Sequence, residues 1–84
     1  MDHLTASIST RDALILQQLS DTGEEEVNDI IEELHEPRAR IMRQLATLKR
    51  RGLVHIYSKY GEIIITLTGR GRQAVHYLWP EAYA

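Results

Sequence analysis

The run Pro37-Arg38-Ala39-Arg40-Ile41-Met42-Arg43-Gln44-Leu45, continued by Leu48-Lys49-Arg50-Arg51-Gly52-Leu53-Val54 and closed by Leu67-Thr68, decides the fold. Proline has no N–H to donate and pushes the residue before it away from helix, yet it fits a helix's first position. Glu36 therefore ends a turn and Pro37 begins a helix. Ile41, Leu45 and Leu48 recur at helical spacing and form its buried stripe, with Met42 or Leu53 at the edge. Gly52 stands just past the end, where a left-handed residue commonly closes a helix. Leu53 to Ser58 reads as a strand, Lys59-Tyr60-Gly61 as a turn, and Glu62 to Leu67 as the return strand. Thr68 can cap a last helix from about Gly69 to Leu78, with Ala74, Val75 and Leu78 facing inward and Pro80 stopping it.

Towards the N terminus the same rules give two more helices. Ser9 or Thr10 can cap the first, and Ser9 with Asp12 resembles a capping box. Ile15, Leu16 and Leu19 supply its apolar face, and Ser20-Asp21-Thr22-Gly23 reads as stop and loop. A second helix is expected from about Glu24 to Leu34, with Val27, Ile30, Ile31 and Leu34 on one stripe. Glu24, Glu25 and Glu26 would then meet the positive end of its dipole, while Glu32, Glu33 and Glu36 face solvent. Only two or three residues separate this helix from the next, which forces a tight corner. The expected class is mainly α with a small β-hairpin (α+β): a three-helix helix-turn-helix core, a two-stranded wing and a C-terminal helix. A short strand after Gly23 fits the same order. Residues 1–9 read as a flexible lead-in, 10–79 as the domain and 80–84 as a tail.

Eighty-four residues make one domain, and a chain of this size buries only about 60 % of its unfolded surface. It has no cysteine, so no disulfide substitutes for packing. With 43 % apolar residues the chain suits a globular fold, and no apolar run approaches the roughly 18 residues of a membrane span. Met1-Asp2-His3 opens without a secretory pattern, so a cytoplasmic protein with no membrane partner is expected. The net charge of −2 conceals a division. Residues 1–36 hold ten acids against Arg11 alone, whereas residues 37–72 hold nine bases against Glu62 alone. Segregation of this kind favours a basic surface made for a polyanion.

The stripe of the third helix fixes which residues turn outward, because each step rotates about 100°. Arg38, Arg40, Arg43, Gln44 and Thr47 form a polar and mostly cationic face. Arginine and glutamine are suited to paired hydrogen bonds with guanine and adenine edges, and recognition helices read bases with their N-terminal residues. Arg38, Ala39, Arg40 and Arg43 are thus expected in a groove, with Gln44 and Thr47 beside them. Arg50 and Arg51 fall nearer phosphate. Lys59 and Tyr60 sit at the hairpin tip, where the pair either contacts backbone or minor groove or the tyrosine folds back. The four histidines, His3, His35, His55 and His76, show no ligand spacing, and Gly69-Arg70-Gly71 matches no nucleotide fingerprint. No enzyme activity, metal or cofactor is expected, and those glycines read as allowing close packing. Trp79 and Tyr83 either fold back onto the first helix or take part in a dimer contact.

Leu48-Lys49-Arg50-Arg51-Gly52-Leu53-Val54 resembles the Leu-Glu-x-x-Gly-Leu-Val segment of winged-helix regulators similar to the MarR group. Ile41 and Arg43 fall where that family has the Val and Arg of its Thr-Val-Ser-Arg pattern, although Ala39 and Met42 stand where small hydroxyl residues are common. Leu67-Thr68-x-x-Gly71 looks like the Leu-Thr-x-x-Gly that follows its wing, and Ile15-Leu16-x-x-Leu19 matches its first helix. The likeness covers residues 10 to 78 and is similar also to minimal winged-helix regulators of archaea. It implies sequence-specific binding of double-stranded DNA by a small transcriptional regulator, a repressor and a homodimer. In that expectation the helix over 37–51 enters the major groove and the wing over 53–67 touches the flanking backbone or minor groove. The chain has no room for the long dimerisation helices of MarR-type proteins, so no small-molecule ligand is expected. The rival reading is a winged-helix module for protein–protein assembly, favoured by the acids near the recognition helix.

Overall fold

The computed structural model describes residues 8–79. Its elements are α1 (Thr10–Thr22), β1 (Glu24–Glu26), α2 (Val27–Leu34), α3 (Arg38–Arg50), β2 (Val54–Lys59), β3 (Glu62–Leu67) and α4 (Gly69–Leu78). The expected tail and most of the lead-in, with His3, Pro80 and Tyr83, lie outside the described residues.

Helix α1 starts as its cap requires: the Asp12 N–H donates to Ser9 Oγ at 3.1 Å. It runs two residues beyond the expected stop at Ser20. Thr22 Oγ1 donates back to the Gln18 carbonyl at 3.0 Å, and Gly23 at φ +86° ends the helix by donating to Leu19 O. Glutamates 24–26 do not open the second helix. They form β1, paired antiparallel with β3 in the register Glu24↔Thr66, Glu25↔Ile65, Glu26↔Ile64. Pairing β3 on its second edge outweighs a favourable dipole contact at a helix start, which contributes about 0.3–1 kcal/mol on an exposed surface. Each carboxylate still has a partner: Glu24 accepts from the Tyr57 hydroxyl, Glu25 from Gln18 and Thr22, and Glu26 from the Asn28 amide that it caps.

The corner between α2 and α3 is three residues long, as the sequence required. His35 takes the left-handed conformation, φ +55°, and closes α2. Pro37 is the N-cap of α3 rather than its first helical residue: at ψ 143° its carbonyl accepts from Arg40 and Ile41. The far end of α3 is closed by two bonds, Gly52 N–H to Lys49 O and Leu53 N–H to Leu48 O, a Schellman arrangement that needs the positive φ of Gly52. Leu53 is fully buried rather than at an edge, so β2 starts one residue later than expected and runs to Lys59.

Strands β2 and β3 pair from Val54↔Leu67 to Lys59↔Glu62, leaving only Tyr60 and Gly61 in the turn. Both have positive φ, 52° and 80°, as a two-residue turn matching the strand twist demands. The sheet order is β1-β3-β2, so the hairpin gains β1 as a third strand. At the start of α4, Thr68 Oγ1 accepts from Gly71 N–H and donates to the Gly52 carbonyl, while Thr68 N–H donates to Leu53 O. A side chain at Gly71 would collide with the Leu53 carbonyl; one at Gly69 would meet open space. Of the two glycines expected to permit close packing, only Gly71 does so.

Ile15, Leu16, Leu19, Ile30, Ile41, Leu45, Leu48, Leu53, Ile65 and Val75 make one core shared by all four helices and the sheet. Trp79 packs against that core. The described residues bury no polar or charged side chain within it.

Candidate nucleic-acid interface

Opposite the buried stripe of α3 lies an outward ridge of Ala39, Arg43, Ala46 and Arg50, all exposed. Among the described residues the Arg43 guanidinium has no hydrogen bond or ion pair, its carbonyl alone accepting from Thr47 Oγ1. Arg50 bonds only to its own helix, through Nη2 to Thr47 Oγ1 at 3.2 Å. No acid interrupts α3, Gly52 or β2; Lys59, at the end of β2, stands opposite Glu62 of β3. Tyr60 projects fully from the hairpin tip, 95 % exposed, and does not fold back.

The expected outer face splits into this ridge and two flanks. On one flank Arg38 Nη1 donates to Asn28 Oδ1 of α2 at 2.8 Å. On the other, Arg40 and Gln44 face the start of α1. Arg40 Nη1 pairs with Glu36 Oε1 at 3.1 Å, and Gln44 Nε2 donates to Asp12 Oδ1 at 3.1 Å. With Nε2 committed and Oε1 buried without a partner, Gln44 ties two helices together. Glu36 does not simply face solvent: its second oxygen lies 3.9 Å from Arg11 Nε. Ser9, Arg11 and Asp12 on one side, with Arg40, Arg43, Gln44 and Thr47 on the other, line an open cleft beside α3. Rotation per residue tells which way a side chain points but not which helix lies there, so this wall was missed. The signal available was Arg11, the single base among ten acids.

Acidic side chains gather away from the ridge, on β1 and α2. There the Tyr57 hydroxyl donates to Glu24 at 3.0 Å. That bond, helped by partial desolvation and the carboxylate's charge, holds the phenol proton and raises its pKa above the ordinary value. Among the described residues no group of three or more His, Asp or Glu is arranged to hold a metal, and no helix is long and apolar enough to cross a membrane.

Two helices joined by a tight corner, the second ending in a glycine cap and running into a β-hairpin, define a winged helix-turn-helix domain. A family model described as bacterial regulatory protein, arsR family, matches residues 13–55, just over half of the chain. The chain belongs to that family. Comparison with curated proteins gives no match. Its fold is that of solved MarR-type structures. BpsR of Bordetella bronchiseptica, studied for regulation of its DNA binding by 6-hydroxynicotinic acid, is 24 % identical with a TM-score of 0.81 over 89 % of this chain. A MarR mutant from E. coli, complexed with operator DNA, is 14 % identical with a TM-score of 0.82 over 92 %. A MepR mutant from S. aureus, bound to an oligodeoxyribonucleotide, is 21 % identical with a TM-score of 0.79 over 88 %. The chain spans 56, 57 and 59 % of the length of those three proteins.

Proposed function

We propose that the chain binds double-stranded DNA sequence-specifically as a small transcriptional repressor, with α3 in the major groove and the hairpin tip on flanking backbone or minor groove. The observation that carries this reading is the exposed ridge of α3, a helix without acids, on which the Arg43 side chain has no partner among the described residues. Ala39, Arg40 and Arg43 take the base edges; Arg38, Arg50, Arg51 and Lys59 take phosphates, and Tyr60 lies against the backbone or in the minor groove. Gln44 and Thr47 hold the helix rather than read bases, since Gln44 Nε2 bonds to Asp12 with its Oε1 buried, and Thr47 Oγ1 bonds to Arg43 O and Arg50. MarR of E. coli and MepR of S. aureus, which share the fold, are seen with DNA, and that supports the same use here.

The rival assembly module drew on acids near the recognition helix. Glu36, the acid nearest α3 in sequence, is paired with Arg40 and Arg11, whose charges offset its repulsion towards a phosphate. The active form is a cytoplasmic homodimer, for which Leu14 on α1 and Tyr77 on α4 offer exposed apolar surface. Selection of the chain against random duplexes, followed by a salt titration on the winner, tests the reading. Log K should fall linearly with log salt by about 0.9 per phosphate neutralised. A flat response, or enrichment of no sequence, contradicts it.

A further inference from the structure

Arg11 is the only base in the first 36 residues, and the fold brings it to the cleft beside α3. Its Nε lies 3.9 Å from Glu36 Oε2, and the other oxygen of that carboxylate accepts from Arg40 Nη1 at 3.1 Å. One acid thus bridges two guanidinium groups from different helices. Without it the two cations would repel; with it they stand close together, Arg11 on the α1 side of the cleft and Arg40 on the α3 side. A guanidinium has five N–H donors, and the Glu36 contact engages one edge of Arg11. The side chain remains 55 % exposed. Arg43 lines the α3 side with Arg40, while Asp12, on the α1 side, accepts from Gln44. Three arginines against two acids leave the cleft with net positive charge.

We infer that Arg11 is a further DNA-contacting residue, a phosphate ligand at the edge of the groove that α3 enters, and that Glu36 is a positioning residue that holds Arg11 and Arg40 at fixed spacing. The inference rests on the DNA-binding reading above. A planar fork with two free Nη groups suits the paired oxygens of a phosphate. The two roles have different signatures. Arg11 contributes charge, which is blind to sequence, whereas Glu36 acts through the orientation of Arg40, which bears on bases.

Fluorescence anisotropy separates them, using a selected and a scrambled duplex over about 50 to 300 mM salt. R11Q weakens both duplexes by the same roughly three- to tenfold factor and makes the salt slope shallower by about 0.9. R11K keeps the slope of the unmodified chain. E36Q lowers the ratio of selected to scrambled affinity roughly threefold or more without making the slope shallower. R11Q with unchanged affinity and slope overturns the role of Arg11, and so does equal loss in R11Q and R11K, which would mark a packing role. An unchanged ratio in E36Q overturns the role of Glu36. Failure of the unmodified chain to bind either duplex at the lowest salt is a different result, and defeats the DNA-binding reading itself.

Discussion

Arg40 and Arg43 are three residues apart on α3, yet only Arg40 is committed to a partner within the protein. Arg40 lies on the flank facing α1, where Glu36 holds it and Asp12 holds Gln44. Arg43 stands on the ridge, with no partner among the described residues. The same residue type therefore serves two purposes on one helix. A held cation has lost its rotamer freedom before any ligand arrives, whereas a free one must lose it on binding. Held side chains set the spacing of the surface, and free ones supply new contacts. A surface made only of free arginines would be sticky but indiscriminate.

The contrast depends on α3 being anchored, so the largest effect comes from breaking the anchor. Leu45→Ala removes a side chain that is almost fully buried between the two flanks and should cost about 2–5 kcal/mol in urea unfolding. A cost under about 1 kcal/mol would mean that the stripe does not hold the helix. Next in size is the pair Gly71→Ala and Gly69→Ala. The first drives a methyl into the Leu53 carbonyl and should cost about 1–3 kcal/mol, whereas the second meets open space and should stay within about 0.5 kcal/mol. Similar midpoints for the two would refute the close approach that ties α4 to the start of the wing. On the ridge itself, Arg43→Ala should leave unfolding unchanged and lose about 1–3 kcal/mol of discrimination between selected and scrambled duplexes. Arg40→Ala should show a smaller loss of discrimination, with at most about 0.5 kcal/mol of stability from its exposed ion pair. A reversed order would dissolve the distinction between held and free arginines.

The smallest effect lies far from the ridge. The Tyr57 phenol has its pKa raised in the folded chain by the bond to Glu24. A group raised in this way contributes stability that is fully present below its unfolded pKa and is lost as pH rises through the folded one. The stability difference between the unmodified chain and Tyr57→Phe should therefore be constant up to about pH 10 and shrink above it. A difference that grows above that pH would contradict the bond.

From Pro37 to Thr68 the fold was legible because its signals are local. Gly52 and Gly61 act through a positive φ, and Thr68 announces α4 through a cap three residues on, although it also bonds back to Gly52 and Leu53. Glu24–Glu26 was not legible as the opening of a strand rather than a helix, because its partner β3 lies about forty residues away. No local rule reports a non-local edge, and the local one, acids at a helix start, points the other way. The stripe of α3 was readable from periodicity, and so was the presence of an outward cationic face. Its division into ridge and flanks was not, since that follows from where α1 and α2 pack. Arg11, Asp12 and Glu36 entered the site through that packing alone.

The central claim is that the ridge of α3 and the hairpin tip meet DNA while the acidic side of β1 and α2 does not. An amide chemical-shift titration of the isotopically labelled chain with its selected duplex tests this most directly. The account predicts the largest shifts at Ala39, Arg43, Ala46, Arg50 and residues 59–61, with Asp29, Glu32 and Glu33 nearly unmoved. Shifts concentrated on those acids, with the ridge unchanged, would contradict it.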